Sequence, residues 1–235
     1  PNCIDFEPYY TVAALKNLPK NLRFNALSHL LYVDRRGAPE NKQGCFGIVE
    51  KAAFLNAIAL HSKSCEGKLV VSEVNWPLAN TREWSPVAAT YSPPGSVGSH
   101  LHVTEKQYGY FMIRYLALTI CSGLVERVYW WRLVSHGFGL VDELAEGRWR
   151  KRTGYYMLKT FLLVLGNATF VEKIATPKKI YALRFKREDD DVVLFWCNGR
   201  KYLGPWPIKY SRVLNSTGHE IELSEVGDEP VYIFS

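Results

Sequence analysis

The chain has 235 residues, is 47% hydrophobic and 14% aromatic, and carries a net charge of +6. No apolar run reaches the roughly 18 residues that a membrane-spanning helix needs, since the 111–121 segment is interrupted by Arg114 and followed by Arg127. No zinc-finger spacing, helix-turn-helix signature or single-strand-binding motif points to nucleic acid, and five irregularly spaced cysteines without a C-x-x-C pair indicate neither a metal site nor a disulfide framework.

The opening stretch, Pro1 to Glu7, reads as the tail of a strand and its loop. Phe24 to Val33 reads as the next strand. A polar loop follows from Asp34 to Gly47, then a helix whose apolar residues Val49, Ala52, Ala53, Leu55, Ala57, Ile58 and Leu60 keep a helical period. Asp34 stands beside Arg35 and Arg36, which suits an ion pair that holds this loop.

Lys68 to Asn75 is the most informative strand. Leu69, Val70 and Val71 form a short apolar run, and Pro77 cannot donate to a sheet ladder, so the strand stops near Asn75. Glu73 then lies at its C-terminal rim. In β/α barrels chemistry is done at that rim, whereas a carboxylate in mid-strand would be buried at a cost of several kcal/mol. A structural salt bridge is the plainer role for such a glutamate. The Pro/Gly/Ser-rich loop over 77–103 follows, and Trp76, Trp84 and Tyr91 are candidates for exposed aromatic stacking surfaces.

Thr104 is an N-cap with Gln107 three residues later, a capping box. Tyr108, Phe111, Met112, Tyr115, Leu116 and Leu118 continue the helix to a stop at Gly123. Arg127 to Leu133 is another strand. Its Trp130 and Trp131 point to opposite faces, so at most one faces the interior. His136 lies in the loop beyond it, as a hydroxyl-binding group or a turn residue. The basic run Arg148 to Arg152 reads as a solvated approach to a helix over Tyr155 to Leu165, closed by Gly166.

Three successive strand-then-helix units are the grammar of a doubly wound sheet or a β/α barrel. Long loops after the strands favour the barrel, and without a Gly-rich phosphate fingerprint no nucleotide cofactor is expected. After Gly166 the pattern changes to short strands at Lys179 to Lys186, Val192 to Cys197 and Pro230 to Phe234. The expected organisation is therefore a barrel part over 1–166 and a small all-β, sandwich-like domain over 167–235 that supports it. All of the positive excess lies in the first part, with 19 basic against 13 acidic residues, while the second is balanced at 10 against 10.

Ser72-Glu-Val-Asn-Trp-Pro77, Ser28-His-Leu-Leu-Tyr-Val-Asp-Arg-Arg-Gly37 and Val128-Tyr-Trp-Trp-Arg-Leu-Val134 resemble the last three strands of retaining (β/α)₈-barrel glycoside hydrolases. The clan is the one that includes β-xylosidase and α-iduronidase-like enzymes. The resemblance spans roughly residues 1–166 and implies a partial barrel with Glu73 as catalytic nucleophile. It further implies that His29 and Tyr32 line the sugar pocket, with Trp130 and Trp131 as an aromatic platform beside Arg132. The clan's second carboxylate, the acid/base, belongs to an earlier strand, so an N-terminal barrel half is expected outside this sequence. Glu7, Asp34, Glu40 and Asp142 are the acids near strand ends that could stand in for it. The implied partner is a carbohydrate, and open strand edges imply self-association or pairing with the missing half. A reducing cytosol fits the cysteines, although a chain that opens on Pro1 without an initiator Met leaves the compartment open. The rival expectation is a non-catalytic glycan-binding or scaffold protein derived from such a barrel.

Overall fold

The computed structural model describes residues 8–33, 37–42, 44–78, 102–135, 137–143 and 147–235. It is a mixed α/β structure with a parallel sheet and a separate antiparallel sheet, as expected for part of a barrel followed by a β domain. Two compact units make up the chain, one from residues 1–102 with 115–139, the other from 103–114 with 140–235. The change of sequence pattern at Gly166 falls inside the second unit.

The first unit begins with α1 (Pro8–Lys16), a helix the sequence reading missed. Its start is legible in retrospect, because proline at the first helical position loses no hydrogen bond. Then come β1 (Phe24–His29), α2 (Ile48–Ser62) and β2 (Cys65–Val74), followed after α3 (Glu105–Ile120) by β3 (Val125–Trp130). β1, β2 and β3 lie side by side in chain order, and both pairings are parallel.

The expected strand over 24–33 is too long by four residues. At Leu31 the backbone enters the left-handed region (φ 48°), which no strand accommodates, so pairing stops at His29. The strand expected over 127–133 likewise begins two residues earlier and ends at Trp130. Apolar residues from strands and α2, among them Leu27, Leu69, Val71, Val125, Ala52 and Leu55, fill the core of this unit. Helix α2 begins with Glu50 accepting a hydrogen bond from the Gly47 amide.

The capping box of α3 forms as the sequence indicates. The Thr104 hydroxyl accepts from the Gln107 amide, and the Gln107 side chain accepts from the Thr104 amide. In the second unit the early turns of α3 meet α4 (Thr153–Leu165) closely. A Cβ on Gly109 would stand 3.3 Å from the Gly154 Cα, so the glycines permit the approach.

Between β3 and α4 lies a hairpin the sequence reading missed, β4 (Val141–Glu143) against β5 (Trp149–Lys151). It corrects the reading of 148–152 as a solvated run at two positions: Arg148, Trp149 and Lys151 are exposed, but Arg150 is half-buried and Arg152 is buried. Arg152 is 1% exposed and pairs with the equally buried Asp142 at 2.9 Å, while Arg150 pairs with Glu105.

The β domain is a single five-stranded antiparallel sheet rather than a two-sheet sandwich among the described residues. Its strands are β6 (Thr169–Lys173), β7 (Ile180–Lys186), β8 (Asp191–Cys197), β9 (Arg212–Leu214) and β10 (Val231–Phe234), in the order β6-β7-β8-β10-β9. β7, β8 and β10 match the three expected strands. β6 is mostly exposed and β9 has only three residues, so neither carries the alternation that reveals a strand. One face of the sheet, with Ala182, Val193, Phe195, Val231 and Ile233, packs on residues that include Leu223 and Val226.

Candidate active site

β2 reaches its C-terminal end with an irregularity. From Val71 to Val74 it advances three residues while β3 advances two, from Val128 to Trp130, so an extra residue is accommodated around Ser72 and Glu73. Such a bulge bends the strand and re-aims side chains, and bulges are frequent beside active sites. Here Glu73 is half-buried, and its Oε1 accepts a hydrogen bond of 2.6 Å from the Tyr32 hydroxyl. An O–H donor to a carboxylate makes a short, strong hydrogen bond that fixes the direction of the acceptor.

Tyr32 is presented by the turn that ends β1, and the turn is pinned from three sides. The Leu31 amide donates to His29 Nδ1 at 3.1 Å. The buried Tyr115 hydroxyl donates to the Leu31 carbonyl at 2.8 Å, and the buried Lys51 ammonium donates to the Tyr32 carbonyl at 3.4 Å. Sequence reasoning missed both Lys51 and Tyr115. A lysine on a helix reads as solvated, and a tyrosine in an apolar stripe reads as core, so neither carried a signal of this role.

His29 is 3% exposed. Because its Nδ1 accepts a hydrogen bond, the proton of the neutral ring is on Nε2, which has no partner among the described residues. Burial, aided by the charge of Lys51, lowers its pKa to about 4. The ring is therefore neutral near pH 7 and offers a buried N–H donor.

Trp76 departs from the expectation of an exposed sugar platform. It is fully buried, its indole N–H donates to the Gly37 carbonyl at 2.9 Å, and it stacks on Trp130 with centroids 5.8 Å apart. Tyr115 meets it edge-on. This indole ties together the segments after β1 and β2, the strand β3 and the helix α3.

Trp130 is thus half-buried against Trp76, whereas Trp131, just beyond the strand, is 44% exposed. The Arg132 guanidinium lies over the Trp131 ring at 5.4 Å, and its Nε donates to the Val134 carbonyl. The Trp131–Arg132 peptide is cis. Of the two tryptophans, only Trp131 presents the open aromatic surface that stacking on a sugar requires.

Asp34, His136, Glu7, Trp84 and Tyr91 lie outside the described residues. Asp142 belongs to the second unit, where its carboxylate pairs with Arg152. Among the described residues no group of three His, Cys, Asp or Glu is placed to hold a metal ion. No helix there is long and apolar enough to cross a membrane.

Comparison with protein-family models and with curated proteins gives no match. Among solved structures the chain is similar to a GH30 endoxylanase from Clostridium papyrosolvens C71, at 13% sequence identity and a TM-score of 0.49. The match covers 100% of this chain and 55% of that one, so the chain spans about half the length of that enzyme.

Proposed function

We propose that the chain carries the nucleophile side of a retaining glycoside hydrolase site, with Glu73 as the nucleophile. The observation that carries this reading is the Tyr32 to Glu73 hydrogen bond at the bulged C-terminal end of β2. It gives a carboxylate at the reactive rim of a parallel sheet a fixed direction and a partner for its charge. In the first step a Glu73 oxygen attacks the anomeric carbon as the bond to the aglycone breaks, and a second carboxylic acid protonates the departing oxygen. Water, deprotonated by that same group, then hydrolyses the glycosyl ester and frees Glu73.

Among the described residues the three strands of the parallel sheet end at His29, near Glu73 and at Trp130, with one carboxylate at these ends. Retaining chemistry needs two carboxyl groups about 5 to 5.5 Å apart. We assign the acid/base of this proposal to a further barrel strand, as the resemblance to retaining barrel glycosidases implies. β1 and β3 both lie at an edge of the sheet among the described residues, which suits docking of such strands. His29 and Trp131 are the groups we assign to the sugar, one as an N–H donor and the other as a stacking surface, with Arg132 beside the indole.

A second reading rests on the same single carboxylate together with the exposed Trp131: a glycan-binding protein that retains the pocket without turnover. One experiment separates the two. The protein as its source produces it is incubated with 2,4-dinitrophenyl 2-deoxy-2-fluoroglycosides of the xylo, gluco and glucurono series, then digested and analysed by mass spectrometry. A glycosyl adduct on the peptide bearing Glu73 is the expected result. An adduct on a different carboxylate sinks the assignment, and glycan affinity without any adduct favours the binding protein.

A further inference from the structure

At the opposite end of β2 from Glu73, a cleft of about 740 Å³ opens where α1, α2 and the segment leading into β1 converge. Its location follows from the chain: residues Ser62 to Ser64 on its wall directly precede β2, and Arg23 directly precedes β1. The volume lies within the roughly 300–1,000 Å³ range of small-molecule sites. Val12, Leu15, Leu18, Ala57 and Ile58 provide an apolar floor.

Five basic side chains line the same cleft, Lys16, Lys20, Arg23, His61 and Lys63, and among the described residues no carboxylate does. Among the described residues none of the five takes part in an ion pair. Elsewhere in the described structure several cations have acidic partners, as in Lys42 with Glu50, Arg114 with Asp228 and Lys201 with Glu225. Part of this charge serves the helices themselves. Lys16 and His61 stand in the last turns of α1 and α2, where a positive group offsets the terminal carbonyls. Lys20 and Arg23 lie beyond the helix ends, so helix capping does not account for them. Arg23 spends one nitrogen, Nη1, on the Lys20 and Leu22 carbonyls and keeps the rest of its donor fork available. Uncompensated positive charge around a concave apolar surface focuses its field on the space inside.

We infer that this cleft binds a small amphipathic anion, an apolar body carrying a sulfate, phosphate or carboxylate head. The head meets Lys20, Arg23 and Lys16 at the rim, and the body lies on Leu15, Leu18 and Ile58. This site is independent of the glycosidase reading and does not use Glu73.

Isothermal titration with decyl sulfate below its micellar concentration tests the inference, with inorganic sulfate as the headgroup alone. Saturable binding of one decyl sulfate per chain is expected, weakening as salt is added, with inorganic sulfate binding far more weakly. Lys16→Gln with Lys20→Gln should weaken it by about tenfold or more. Ala57→Glu, an exposed helix position on the floor where a helix-forming residue is tolerated, should abolish it by adding a repelling charge. Equal affinity in the wild type and both variants, or uptake of many molecules per chain, overturns the inference. So does retention on phosphatidylglycerol vesicles without binding of the soluble amphiphile, which would make the patch a membrane contact.

Discussion

The Tyr32 hydroxyl and the Glu73 carboxylate are 2.6 Å apart, although 41 positions separate them in the chain. This bond has a measurable consequence if Glu73 is the nucleophile. A hydrogen bond to a charged group contributes about 1.5–3 kcal/mol, so Tyr32→Phe should reduce turnover by roughly 10- to 100-fold while the protein stays folded. Glu73→Gln should abolish turnover altogether. Steady-state rates of the native protein and these variants on an activated aryl glycoside make the check, and undiminished turnover in Glu73→Gln would rule the mechanism out.

Trp76 and Trp131 should separate stability from recognition. Removing the buried Trp76 side chain in Trp76→Ala leaves a large cavity and should cost about 3–5 kcal/mol in urea unfolding. Trp76→Phe keeps an aromatic ring against Trp130 but loses the donor to Gly37, a smaller loss of about 1 kcal/mol. Trp131→Ala, at an exposed position, should change stability by no more than about 0.5 kcal/mol. It should nonetheless weaken glycan binding. Undiminished oligosaccharide affinity in Trp131→Ala would remove this indole from the sugar site.

Much of the first unit was legible because its signals are local. The apolar run of Leu69 to Val71 and the stop at Pro77 bracket β2, and the Thr104 to Gln107 capping box marks the start of α3. The early end of β1 was not legible, because the positive φ of Leu31 is imposed by contacts from Lys51 and Tyr115 that lie far off in the chain. The same limit explains Trp76. Its position after a strand end suggests exposure, and only its tertiary partners Gly37, Tyr115 and Trp130 reveal that it is buried. Glu73 could be picked out from its rim position, whereas the bulge that re-aims it needs the register of β3.

Burial of His29 makes the stability of the first unit sensitive to acid. Its pKa falls from 6.5 to about 4 on folding, so between those values the unfolded chain binds more protons than the folded one. Stability therefore rises with pH across that window and levels off above 6.5. From pH 7.5 to 5.0 the group should withdraw roughly 2 kcal/mol. Urea unfolding at both pH values, in the wild type and in His29→Asn, tests this. The variant should lose that share of the pH dependence, and an unchanged slope would mean that another group is responsible.

Asp142 and Arg152, each 1% exposed, form the most deeply buried ion pair described in the second unit, with the guanidinium 2.9 Å from the carboxylate. Breaking such a pair by removing one partner leaves the other charge buried, at a cost of about 3–5 kcal/mol. Arg152→Met and Asp142→Asn should therefore each be severely destabilising. The double substitution, which strands no charge, should recover a substantial part of the loss. The comparison also tests the assignment of Asp142 to structure rather than chemistry. If it only holds the hairpin of β4 and β5 against Arg152, the double variant, once folded, should keep whatever turnover the native protein shows. A stable double variant without turnover would return Asp142 to the list of catalytic acids.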